Sequence, residues 1–190
     1  MSPRNLILSA LTLLCIAPAA HADCLTMEDF PAGSVIPEGT SIVYVDPAEP
    51  TPNPALLEIH SVAGQFHLMM ITATHLAHGS LANEMHAHSA ALAVYPTDAE
   101  GRASFAYADV EGQVFLGVNG SWVIVDDFTD LPASLGGVDI VVDPPTFTDG
   151  YHYGTVTLTG QATLIQEFAI GGEHVFLDDV CWETPPVRPV

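Results

Sequence analysis

Lysine is absent from all 190 residues, and three arginines stand against 23 acidic side chains, for a formal net charge of −20. Such a surface repels phosphate backbones and anionic headgroups, which argues against nucleic acid and acidic membranes as partners. It suits cations, neutral sugars, or salty surroundings in which self-repulsion is screened, and solubility in salt is the plainest account of it. The shortage of cationic side chains also leaves few long amphipathic helices to write. Chemical signatures are missing as well. The chain has no G-x-S-x-G elbow and no glycine loop that would cradle phosphate before a helix. Paired carboxylates for glycoside hydrolysis cannot be picked from so many acids without geometry. Together these absences lean away from catalysis.

Long apolar runs are confined to the start. Arg4, the apolar stretch Leu6 to Ile16 and the small-x-small Ala20-His21-Ala22 read as a secretory signal over residues 1–22. Its apolar core is too short to span a bilayer. Cys15 follows Leu13-Leu14 instead of a small residue, so lipidation is not expected, and it would leave with the signal. The roughly 168 residues that follow have the size of one domain, assigned to 23–183 with a flexible tail over 184–190. Cysteine is then reduced to Cys24 and Cys181, most simply one disulfide in an exported chain, secreted or periplasmic. Closing so long a loop is worth about 5 kcal/mol in the chain-entropy account.

What is present reads almost entirely as strand. Ser41 to Asp46, Leu57 to Val62, Gln65 to Thr72, Ser89 to Tyr95, Ala103 to Ala108 and Gln113 to Val118 are short segments bounded by turn residues. Gly137 to Val142, Gly154 to Thr159, Thr163 to Ala169 and His174 to Val180 continue the pattern, with a turn expected at Gly171-Gly172. Asn119-Gly120, set between FLGV and SWVIV, is the best hairpin signal, because both residues tolerate positive φ. Thr74 to Met85 reads as a loop, interrupted by Gly79 and Ser80. About ten strands at such spacing predict an all-β antiparallel sandwich.

The two ends, CLTMEDFPAGS and FAIGGEHVFLDDVCWE, resemble galactose-binding-like jelly rolls of secreted carbohydrate-binding modules. The resemblance rests on Glu28-Asp29-Phe30 and Leu177-Asp178-Asp179-Val180 and covers about thirty residues. It implies adjacent first and last strands, a glycan-binding role, and a structural calcium held by Glu28, Asp29, Asp178 and Asp179. Calcium requires six to eight hard oxygens; the plainer reading of these acids is solvated edge charge.

Two other groups carry candidate chemistry. Tyr151, Tyr153 and Trp122 offer ring faces for stacking on a sugar. Composition favours the core for Trp122 and the phenylalanines, while the tyrosines are evenly balanced between site and scaffold. Six histidines fall between residues 60 and 88. On a strand, His86 and His88 project from one face, and His75 or His78 would complete a zinc or copper set, with Met69, Met70 and Met85 as soft donors for copper. Histidine as ordinary polar surface is the alternative. The leading expectation is a non-catalytic glycan-binding module with a possible calcium ion. A histidine-based metal protein or metalloenzyme comes next, then a structural surface protein without a small ligand.

Overall fold

The computed structural model describes residues 22–47, 52–61, 68–72, 83–143, 145–148 and 150–184. The expected signal sequence up to residue 21, His67, His75 and His78, and the tail beyond 184 lie outside them. Along the chain run β1 (Ala22–Leu25), a 3-10 turn (Met27–Asp29), β2 (Val35–Pro37), β3 (Ser41–Tyr44), β4 (Ala55–Ser61) and β5 (Leu68–Thr72). Next come β6 (Glu84–His88), β7 (Ala90–Pro96), β8 (Arg102–Asp109), β9 (Val114–Val118), β10 (Ser121–Val125) and a second 3-10 turn (Phe128–Asp130). The rest are β11 (Ser134–Leu135), β12 (Val138–Val142), β13 (Thr146–Thr148), β14 (Tyr151–Thr159), β15 (Phe168–Gly172) and β16 (Val175–Glu183).

These strands form two antiparallel sheets facing each other as a jelly-roll sandwich. The ten-stranded sheet is ordered β11-β12-β14-β8-β16-β6-β5-β2, with β1 beside β16 and β13 beside β14; the six-stranded sheet is ordered β10-β9-β15-β7-β4-β3. Period-two alternation makes the core. Ala55, Leu57 and Ile59 of β4 are buried while Leu56, Glu58 and His60 face outward. Phe105 and Tyr107 of β8 meet Phe168, Leu116 and Leu92 of the opposing sheet in one continuous cluster.

The first and last strands among the described residues are neighbours, as expected. β1 runs antiparallel to β16 with Cys24 directly opposite Cys181, and the two are joined by a disulfide with Cα atoms 4.0 Å apart. Trp182 is fully buried beside them, its Nε1 donating to the Asn53 carbonyl at 3.1 Å. The Tyr44 hydroxyl donates to the Cys24 carbonyl at 2.9 Å.

The Asn119-Gly120 hairpin is present, with φ of 49° and 74° and Val118 paired to Ser121. Other boundaries need correction. Glu84 and Met85, assigned to a loop, open β6. From Thr163 to Gln166 the chain makes an isolated bridge, Ile165 to Glu100, in place of a strand. Gly171 and Gly172 lie inside β15 and the chain turns at Glu173-His174. These glycines answer a packing demand: a Cβ on Gly171 would come within 2.0 Å of the Ala90 carbonyl oxygen. β1, β2, β11 and β13, of two to four residues, raise the strand total to sixteen among the described residues; segments so short carry no readable period.

Asp178 and Asp179 also depart from simple alternation. The register of β16 against β8 shifts between Asp178 and Cys181, and Asp179 has a φ of 45°. This β-bulge resets the pleat, so Val175 and Leu177 before it and Val180 and Trp182 after it all face the core.

Gly171→Ala should therefore destabilise the protein by about 3 kcal/mol, the upper end for overpacking a well-filled site. Urea unfolding checks this, and an unchanged midpoint would contradict the close approach of β15 to β7.

Candidate functional site

The outer face of the six-stranded sheet carries a groove, and strand register explains it. One cross-strand row runs Ser41, Glu58, Ala93, Ala169, Gly117, Trp122; the next runs His60, Ala91, Gly171, Phe115, Ile124. The two innermost strands, β15 and β7, present Ala169, Gly171, Ala91 and Ala93 in these rows, and Gly117 of β9 extends that floor, while larger side chains stand on the flanking strands and strand ends. The result is an open trough of about 230 Å³ with Ala91, Ala93, Ala169 and Gly117 in its lining. Trp122 stands at one side, 66% exposed, with its ring stacked 6.5 Å from Phe115 at an interplanar angle of 22°. Toward the other side the Tyr95 hydroxyl lies 3.5 Å from His60 Nε2, which is 3.2 Å from a Glu58 carboxylate oxygen. Glu167 also lines the trough and accepts the Gly120 N–H at 2.7 Å, tying the hairpin turn to its wall. Partial burial, then the charges of Glu58 and Glu167, raise the Tyr95 pKa above the ordinary phenol value.

This placement corrects the core assignment of Trp122. On β10, Val123 and Val125 pack on the core and Trp122 takes the outward phase; the buried tryptophan is Trp182. Tyr151 and Tyr153 share the opposite outer face, that of the ten-stranded sheet, with ring centroids 6.0 Å apart. Tyr153 is only 8% exposed, clustered with Ala108 and Phe176, so its ring face is largely covered. Tyr95, His60 and Glu167 were missed as binding candidates. They are dispersed in the sequence and meet only through the register.

The histidines divide. His60 is in the groove, and His152 Nδ1 is bonded to an Asp127 carboxylate oxygen. His86 and His88 project from the outer face of β6 and are joined by His174, which precedes β16. His86 stacks on Phe176 with centroids 4.2 Å apart and planes 6° from parallel. Burial, followed by the proximity of His174 and His88, lowers the His86 pKa to about 4, favouring the neutral ring. Met69 and Met85 are buried in the core, whereas Met70 sits opposite His86 on β5.

The expected calcium ligands are spread differently. A Glu28 carboxylate oxygen accepts the Asn83 N–H at 2.7 Å, and the Asp29 side chain is outside the described residues. Asp178 is 1% exposed and Asp179 half-buried. Burial lifts the Asp178 pKa to about 6, helped by the charges of Asp179 and of buried Glu84 and opposed by the Asp179 and Met27 N–H groups. Among the described residues, no three carboxylates bring ligand oxygens within 4.8 Å of one another.

Two further carboxylates are buried and lifted. Glu100, bonded to the Asn53 amide, is raised to about 7 by burial and then by the charge of Asp23. Asp109 is raised to about 6 by burial and then by Asp127.

Folded Glu100, Asp109 and Asp178 hold protons that the unfolded chain releases. Their stabilising contribution is thus full below the ordinary carboxylate pKa of about 4 and is lost as pH rises through about 6 to 7. His86, lowered to about 4, acts in the opposite direction over part of that range but is a single group. The melting temperature should accordingly rise as pH falls from about 8 to about 5, and Glu100→Gln should flatten that slope and raise the value at pH 8. Thermal melts in matched ionic strength check this; maximal stability at pH 8 would contradict it.

Comparison of the chain with protein-family models, with curated proteins and with solved structures returns no match.

Proposed function

We propose that the protein is an exported, non-catalytic module that binds a neutral glycan in the groove of the six-stranded sheet. The observation that carries this reading is Trp122, a large exposed ring braced by Phe115 beside a floor of alanine and glycine. Trp122 and Phe115 together make a contiguous apolar face on the trough, the kind of patch that marks a ligand-binding groove. A pyranose presents an apolar C–H face to such a ring and hydroxyls at its edges, which Glu58, His60, Tyr95 and Glu167 are chemically suited to meet. At about 230 Å³ the trough is smaller than enclosed pockets of ~300–1,000 Å³. Its open form suits a stretch of chain lying across the sheet.

Charge narrows the ligand. A net charge of −20, with Glu58 and Glu167 at the groove, disfavours uronic or sulfated polymers. The Cys24–Cys181 disulfide supports export. The resemblance of the terminal strands to carbohydrate-binding modules agrees with the reading. Calcium belongs to it as the structural ion that this resemblance implies, supported by buried Asp178, whose Oδ2 has no hydrogen-bond partner.

Affinity electrophoresis through soluble neutral polysaccharides tests the assignment. Trp122→Ala should weaken retention by about tenfold or more, as expected for an anchoring tryptophan, with little change in stability because the ring is exposed. Tyr151→Ala should leave retention intact. Loss of retention with Tyr151→Ala and not with Trp122→Ala would move the site to the other sheet.

A further inference from the structure

The outer face of the ten-stranded sheet carries a second constellation that the groove does not use. We infer that His86, His88 and His174 form a tris-imidazole site for a divalent late transition metal, zinc or copper(II). Two tight corners assemble it. The chain passes from β6 to β7 through the single residue Ser89, at a φ of 53°. It passes from β15 to β16 through Glu173-His174, and the Ser89 N–H donates to the Glu173 carbonyl at 3.2 Å. This bond clamps one corner to the other and sets His174 beside His88, with ring centroids 4.7 Å apart.

The donor atoms of the three rings lie within 4.8 Å of one another. Tetrahedral zinc with Zn–N of about 2.1 Å holds its nitrogens about 3.4 Å apart, so closure needs only a small side-chain rotation. His88 is exposed and free of the packing that fixes His86. His86 supplies the rigid arm: its ring is held flat on Phe176, and its Nε2 is buried with no hydrogen-bond partner. A buried ring nitrogen left unsatisfied is a cost that a metal removes. Three neutral imidazoles select zinc or copper over calcium or magnesium, which take oxygen. Exposed His88 leaves a fourth position open to water or to another ligand. His174 takes the role that His75 or His78 was expected to fill.

The site is on the opposite sheet from the groove, so it stands or falls separately from glycan binding. Isothermal titration of chelator-treated, tag-free protein with zinc and, separately, with copper(II) tests it. The expected result is one equivalent of either metal at a shared site, shown by competition. Loss of that equivalent is expected in His88→Ala and in His174→Ala, with His60→Ala unaffected. Because His88 is exposed, His88→Ala should fold normally by circular dichroism. Copper(II) electron paramagnetic resonance should show nitrogen coupling that changes in His174→Ala. Absence of stoichiometric binding would overturn the proposal. So would binding that survives His174→Ala, or that depends on His75 or His78 in its place.

Discussion

Strand β16 is the constraint on which the structure turns. Along one side it pairs with β8 for nearly its whole length; along the other it serves β6 as far as Leu177 and β1 from Val180. Two strands from distant parts of the chain thus share one edge, and neither would satisfy its backbone groups without it. The bulge at Asp178–Asp179 makes the exchange possible, because it absorbs one residue and returns the pleat to phase. The disulfide sits just past it, where Cys181 faces Cys24. The acidic pair that looks like a ligand motif in the sequence is, in backbone terms, the hinge between two pairings.

That arrangement gives the two outer faces different characters. On the ten-stranded sheet, β16 and β6 bring Phe176 against His86, and the corners before and after them gather the three imidazoles. On the six-stranded sheet the central strands are pinned closely together. Gly171 lies against the backbone of Ala90, and Gly172 against that of Gln113. Close packing within the sheet thus requires glycine at 171 and 172, and Gly171, with Ala91, Ala93, Ala169 and Gly117, leaves the trough above it. Flanking strands, free of that requirement, carry Trp122 and Glu58.

Much of this was legible in the sequence. Alternation located most strands, Asn119-Gly120 announced the one hairpin whose turn chemistry is unambiguous, and two surviving cysteines implied that the ends meet. The glycine pair at 171–172 misled because a turn and a close approach demand the same residue. Trp122 misled for another reason: its strand alternates large apolar side chains on both phases, so the outward one has no signature of its own. The groove was invisible because each strand contributes one or two unremarkable alanines or glycines, and only their register makes a surface. His174 was passed over because nothing in its neighbourhood resembles His86-Ala87-His88; a corner-to-corner hydrogen bond brings it there. The terminal acids take places that their motifs do not announce: Asp178 is buried at the bulge, and a Glu28 carboxylate oxygen accepts the Asn83 N–H.

The central claim is that Trp122 is the surface a glycan meets, and the chain has a convenient reporter for it. It contains two tryptophans, of which Trp182 is fully buried and Trp122 stands in solvent. Tryptophan fluorescence should be followed during titration with soluble neutral polysaccharides, with acrylamide as quencher. Binding in the groove should shift the emission to the blue and shield the exposed component from quenching. A polysaccharide that binds while the quenching of Trp122 stays unchanged would contradict the account, as would failure of every neutral polysaccharide to bind.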